Sequence, residues 1–231
     1  MTVERGDFLY DPILLDLRIE HGFGQRGAQP PENTVFPVQV HGADVFEVTS
    51  RGLRDRPRAD IVVSTTPGLS VGIVTADCVP ILVAAQDGSA VAAIHAGWRG
   101  LAKGVVEAGI RAMVAAARGA SLVAAVGPAG RGCCYEVDDP VREALAENYS
   151  EILEGTLVPG RPDHFQLDLP RLATGILTRN GVVCHPIGIR HRICTICHPE
   201  RFESYRRDGA VAGRLTHFIT TRALPIATAQ G

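Results

Sequence analysis

Ile61-Val62-Val63-Ser64, a Pro67-Gly68 turn, Val71-Gly72-Ile73-Val74-Thr75, Pro80-Ile81-Leu82-Val83-Ala84-Ala85, an Asp87-Gly88 turn and Ala90-Val91-Ala92-Ala93-Ile94 follow one another without interruption. Short apolar runs separated by Gly and Pro turn pairs read as consecutive strands, and Asp-Gly is a hairpin signal. No helix-length pattern intervenes, so the alternating βαβ arrangement is disfavoured. An α+β fold with mixed sheets is expected.

Working outward, residues 35 to 48 hold two β-branched runs broken by Gly42, which predicts strand, turn, strand with His41 at a strand end. From Trp98 to Arg118, Ala, Val, Ile and Met recur at helical spacing, predicting one long helix that ends at Gly119. Leu122 to Val126 reads as a strand. The next helix opens near Asp139-Pro140, with proline in the first turn. Further expectations are a helix over 169–179, a strand over 182–189, a short helix over 199–205 and a closing strand over 214–221.

The chain has 231 residues, 45% hydrophobic and 21% charged, with a formal net charge of −2. With no Gly/Ser/Pro-rich linker, residues 1–231 are expected to form a single domain. Basic residues are scattered, apart from Arg51, Arg54, Arg56 and Arg58, so a nucleic-acid surface is not expected. The N-terminal residues lack a basic and apolar leader, and no apolar run reaches bilayer length; a cytoplasmic location without membrane insertion is expected. Six cysteines in a reducing compartment are poor disulfide candidates.

Chemistry concentrates in Val40-His41-Gly42, Thr75-Ala76-Asp77-Cys78 and Ile94-His95-Ala96-Gly97-Trp98-Arg99. Two imidazoles and one thiol, each beside small residues, can hold a soft divalent metal such as zinc with one position open. Cys78 with His95 can equally act as thiolate and base. Asp77 is expected to orient a ligand or move protons. Gly97 and Gly100 allow a tight turn after His95 into the helix, and Arg99 adds a fixed positive charge at its start.

Cys194-Thr195-Ile196-Cys197-His198 matches the haem-attachment pattern, which is rejected because such attachment belongs to exported proteins. A zinc cluster of Cys184, Cys194, Cys197 and His198 ranks below buried thiols and a structural turn. The adjacent Cys133 and Cys134 are not expected to face one metal together, so at least one should be packing. Ser204 to Gly209 reads as a solvated loop held by Arg-Asp pairing.

Gln39-Val40-His41-Gly42, Ala59-Asp60, Thr75-Ala76-Asp77-Cys78-Val79-Pro80, His95-Ala96-Gly97-Trp98-Arg99-Gly100, Gly127-Pro128, Cys133-Cys134-Tyr135-Glu136-Val137 and Ser204-Tyr205-Arg206-Arg207-Asp208 occur in that order. Together they resemble the laccase-domain purine nucleoside phosphorylase family, also called multicopper polyphenol oxidoreductases, from about His21 to near Phe218. The resemblance implies a four-layer α/β/β/α sandwich of cysteine-hydrolase-like kind, with zinc held by His41, Cys78 and His95. It implies phosphorolysis of adenosine, inosine and methylthioadenosine and deamination of adenosine, while the older family names assert copper-dependent oxidation of phenols. Purine nucleoside and phosphate would then be the partners, and the chain would act as a monomer or homodimer.

The family's N-terminal motif is matched by His21-Gly22-Phe23-Gly24-Gln25-Arg26, with Gly24 and Gln25 in place of hydroxyl residues and a shortened glycine-rich stretch after Arg26. Arg26 and Arg99 are expected to bind phosphate, because guanidinium forks fit its oxygens. A laccase needs several coppers and many histidines; this chain has eight histidines, no His-x-His and two methionines, Met1 and Met113. The deaminase signature H-x-E with P-C-x-x-C is also absent. Phosphorolysis with accessory deamination of adenosine, at Cys78, Asp77, His41 and His95, is the leading expectation that the resemblance implies, with zinc as the metal and copper as its alternative. A cysteine hydrolase of amides or cell-wall precursors, or a copper-dependent polyphenol oxidase, is the alternative.

Overall fold

The computed structural model describes residues 3–50 and 56–223, which places Arg51 and Arg54 outside the described residues. All four runs of the 61–94 stretch form strands: Ile61–Ser64, Ser70–Thr75, Val79–Ala85 and Val91–Ala96. They do not form one sheet. Three join Val45–Val48, Leu122–Val126 and Val183–Pro186 in a six-stranded mixed sheet, in which the two outermost pairings are parallel and the rest antiparallel. Ser70–Thr75 leaves for an antiparallel five-stranded sheet with Val3–Arg5, Phe8–Tyr10, His21–Gly24 and Leu215–Thr220.

Because strand side chains alternate between faces, each sheet has two populations. Leu82, Ala84, Val91, Ala93 and Val62 of the six-stranded sheet pack against Leu9, Phe23, Val71, Ile73, Leu215 and Ile219 of the other in one inter-sheet core. Ile81, Val83, Ala92, Ile94, Ala124 and Val126 face the opposite way, onto helices Val105–Ala116, Asp139–Leu153 and Leu169–Arg179. His95 continues the Val91 and Ala93 face, so its ring starts from the space between the sheets. The helix/sheet/sheet order agrees with expectation, but no helix among the described residues packs across the outer face of the five-stranded sheet. Irregular chain takes that place, with Ala28 joining Phe8 and Phe218, and Phe36 lying against Gly72. The expected fourth, helical layer is corrected accordingly.

Several local expectations change for identifiable reasons. Residues 35 to 41 form no strand; Val35 makes an isolated bridge to Val71 of the five-stranded sheet, and Val38 one to Arg58. Pro37 cannot donate a ladder bond, and the Gln39 side chain substitutes by pairing with both the amide and the carbonyl of Val74. The single helix over 98–118 splits into Trp98–Ala102 and Val105–Ala116, because Gly104 takes a left-handed conformation at φ +76°. The strand over 182–189 stops at Pro186 and turns into Ile187–Arg190. The helix expected over 199–205 forms later, at Tyr205–Asp208, where the Ser204 hydroxyl caps the Arg207 amide. The helices at 139 and 169 start as read, capped by Asp138 and Asp168.

Candidate active site and metal centre

Three connections converge at one end of the inter-sheet core. His95 ends Val91–Ala96, Cys78 precedes Val79–Ala85, and His41 sits in the turn before Val45–Val48 with φ +57°. The ligand atoms of His41, Cys78 and His95 lie within 4.8 Å of one another, and the two imidazole centroids are 4.8 Å apart in an edge-on arrangement.

Asp60 assembles this trio. Its buried carboxylate accepts from the amides of Val40 at 3.1 Å, His41 at 3.0 Å and Gly42 at 2.7 Å, which holds the left-handed turn in place. The same carboxylate receives His95 Nδ1 at 2.7 Å, leaving Nε2 on the Cys78 side. Burial opposes the charge on Asp60, but bonds from His95 and the Gly42 and Val40 amides outweigh it and keep its pKa below the ordinary carboxylate value. Gly97 makes the approach possible, because a Cβ there would sit 2.9 Å from Cys78 Sγ and 3.2 Å from His41 Cδ2.

Burial also opposes ionisation of Cys78, yet hydrogen bonds and charge from His41 and His95 bring its pKa down to about 6. His95 is depressed by burial but raised more strongly by Asp60 and Cys78, to about 9. Near neutral pH the pair is thiolate and imidazolium. Two imidazoles and one thiolate, with a carboxylate orienting one ring, fit the donor set of a three-ligand zinc site with an open position.

The trio lines a cleft of about 700 Å³. Trp98, Tyr135 and Tyr205 supply aromatic surface, and Arg56, Arg99, Arg206 and Arg214 supply positive charge. None of these guanidiniums has a carboxylate partner among the described residues. Arg99 stacks on Trp98 at 4.4 Å and Arg206 on Tyr135 at 4.1 Å. Burial, followed by the Cys78 charge, raises the Tyr135 phenol to about 12, so it keeps its proton.

Arg99 lines the cleft, while Arg26 does not. Its guanidinium is taken by Glu203 at 2.5 Å, Asp208 at 3.7 Å and the Pro199 carbonyl. Asp77 lies beside Cys78, but its oxygens accept from the Thr195 hydroxyl at 2.6 Å, the Ser204 hydroxyl at 2.9 Å and the Arg206 amide at 2.7 Å. The Ser204 to Gly209 segment is therefore more than a solvated loop: Arg207 does pair with Asp208, yet its neighbours close one wall of the cleft. Sequence reading missed the roles of Asp60, Tyr135 and Arg206; a carboxylate directly preceding the buried run Ile61-Val62-Val63 was the available signal for the first.

The later cysteines regroup. Cys184 stands apart, hydrogen-bonded to Thr174, and the His198 ring bonds the Cys194 carbonyl through Nδ1. Cys133 and Cys134 instead converge with Cys194 and Cys197. The cluster of Cys184, Cys194, Cys197 and His198 does not exist in this form.

Fold and site together define an α+β protein with a candidate thiolate-imidazole metal site in a cationic, aromatic-lined cleft. The sequence pattern of the multi-copper polyphenol oxidoreductase laccase family matches residues 22–222, and the chain belongs to that family. It is 37% identical over 189 residues to purine nucleoside phosphorylase YfiH of Escherichia coli K12, covering 82% of this chain and 74% of that one. It is 40% identical over 183 residues to a Pseudomonas aeruginosa purine nucleoside phosphorylase, covering 78% and 71%. The crystal structure of YlmD from Geobacillus stearothermophilus superposes with a TM-score of 0.83 at 26% identity, covering 95% of this chain and 98% of that one.

Proposed function

We propose that this protein is a purine nucleoside phosphorylase that cleaves adenosine, inosine and methylthioadenosine with phosphate, and that it also deaminates adenosine. The observation that carries this reading is the set of four guanidiniums, Arg56, Arg99, Arg206 and Arg214, that have no carboxylate partner among the described residues and line the same cleft as His41, Cys78 and His95. The phosphorylase names of the relatives support it.

In phosphorolysis a phosphate oxygen bonds to the sugar C1′ while the bond from C1′ to purine N9 breaks, its electron pair leaving with the base. The guanidiniums would hold the phosphate beside the cationic sugar of the transition state. Trp98, Tyr135 and Tyr205 offer rings for the purine, and the protonated Tyr135 phenol can donate to a purine nitrogen. Zinc held by His41, Cys78 and His95 would supply a Lewis acid and a bound water of lowered pKa, the chemistry hydrolytic deamination requires. Three donors already on the Asp77 carboxylate favour a positioning role for that residue over proton shuttling.

Copper-dependent oxidation of phenols is less well supported. A blue-copper centre uses His₂Cys with a weak axial methionine, and Met113 is buried in the helix-side core. A second reading has one specific observation in its favour: Cys78, His95 and Asp60 reproduce the order nucleophile, base and orienting carboxylate of a cysteine hydrolase. Zinc would then inhibit, and chelation would raise turnover of amide substrates.

The deciding assay incubates the protein with adenosine and phosphate. Adenine with ribose 1-phosphate, and inosine from deamination, are the expected products; finding none of these overturns the proposal.

A further inference from the structure

Four sulfurs outside the cleft form a second cluster. Cys133, Cys134, Cys194 and Cys197 bring their Sγ atoms within 4.8 Å of one another, with Cys133 to Cys197 at 3.5 Å and Cys134 to Cys197 at 2.9 Å. A tetrahedral zinc with Zn–S bonds of about 2.3 Å separates its sulfurs by about 3.8 Å. The separations in the cluster, from 2.9 Å up to at most 4.8 Å, bracket that spacing, and its donors are sulfur alone, the softest set a protein offers.

Local backbone explains how two adjacent cysteines can serve one ion. Side chains of neighbouring residues diverge in extended chain, but residues 131–135 form a tight turn in which the Cys134 and Tyr135 amides both donate to the Arg131 carbonyl. Both thiols then emerge on one side. Opposite them, Cys194-Thr195-Ile196-Cys197 forms a turn anchored by the bridge between Ala129 and Cys194. The amides of Cys197, Arg131 and Ile196 are directed at the Cys194 sulfur, an arrangement that stabilises negative charge on a thiolate.

We propose that Cys133, Cys134, Cys194 and Cys197 bind a second, structural zinc ion, distinct from any metal held by His41, Cys78 and His95. Four protein ligands leave no open position, so this ion does no chemistry on substrate. Its effect is mechanical. It fastens the turn that carries Tyr135, a cleft-lining ring, to the turn that carries Thr195, whose hydroxyl bonds Asp77 beside Cys78. The assignment does not depend on the phosphorylase reading.

The test counts metal and identifies its ligands in protein purified from zinc-supplemented cells. Wild type should carry two zinc ions per chain, one for each cluster. A His41→Ala/His95→Ala variant should retain one, with an X-ray absorption spectrum showing a four-sulfur shell. Cys194→Ser/Cys197→Ser should lose about half of the wild-type zinc and melt at a lower temperature. Should that cysteine variant fail to fold, the histidine variant still decides the matter. The proposal is overturned if the histidine variant binds no zinc, if its zinc lacks the four-sulfur shell, if the ion is iron, or if the four cysteines are recovered as disulfides.

Discussion

The Asp60 carboxylate receives His95 Nδ1 at 2.7 Å while the same oxygen takes the His41 backbone amide at 3.0 Å. One buried residue therefore fixes one histidine by its ring and the other by its backbone. Asp60→Asn keeps the shape but removes the charge and replaces one acceptor oxygen with a donor. Loss of such an orienting partner costs about 10- to 100-fold in metal affinity. Competition against a chromophoric chelator should show that loss, and wild-type affinity in the variant would contradict the role.

Gly97→Ala places a methyl group 2.9 Å from Cys78 Sγ. Gly97 has an ordinary extended backbone at φ −76°, so the conflict is one of space rather than conformation. Zinc affinity and nucleoside turnover should each fall by at least about tenfold, since misplacing a reacting group by about 1 Å costs on the order of a hundredfold. The melting temperature should move little, and a large drop in melting temperature would show that Gly97 serves folding instead.

Protein stripped of metal should expose the thiolate-imidazolium pair to titration. Cys78 ionises near pH 6 and His95 loses its proton near pH 9, so iodoacetamide alkylation at Cys78 should rise as pH passes through about 6. An inflection near the ordinary thiol value of about 8.5 would show that the histidines do not activate this thiol.

His217 gives the fold an acid sensitivity of its own. Burial, reinforced by the charge on His95, lowers its pKa from 6.5 to about 3. Its Nε2 bonds Thr75 Oγ1 at 2.8 Å, while Nδ1 has no hydrogen-bond partner among the described residues. The unfolded chain therefore takes the proton first. The neutral ring's contribution is fully present above pH 6.5 and is lost as pH falls from 6.5 toward 3. Between pH 7 and pH 5 the loss should be on the order of 2 kcal/mol. Urea unfolding at both pH values would show it, and His217→Gln should flatten the difference.

Among the described residues Arg214 bonds only the nearby Ala212 and Gly213 carbonyls, so its removal should leave the fold intact. Arg214→Ala should raise the phosphate KM about tenfold, the equivalent of one charge-assisted contact, with a smaller change in kcat. An unchanged phosphate KM would remove Arg214 from the anion site.

The sequence by itself determined the consecutive strands of residues 61–94, the capped helices at 139 and 169, and the three short motifs that supply His41, Cys78 and His95. These are local properties: apolar runs, turn pairs and caps act over a few residues, and a functional side chain flanked by glycine is visible where it stands. Tertiary structure decided what distance along the chain conceals. It sent Ser70–Thr75 to a different sheet from its neighbours, aimed Asp60 at both histidines, and turned Asp77 toward Thr195 and Ser204. It also left Arg26 on Glu203 and gathered cysteines 60 residues apart into one cluster. Strand pairing across more than a hundred residues sets those positions, because a buried charge or thiol finds its partner only after the sheets have closed around it.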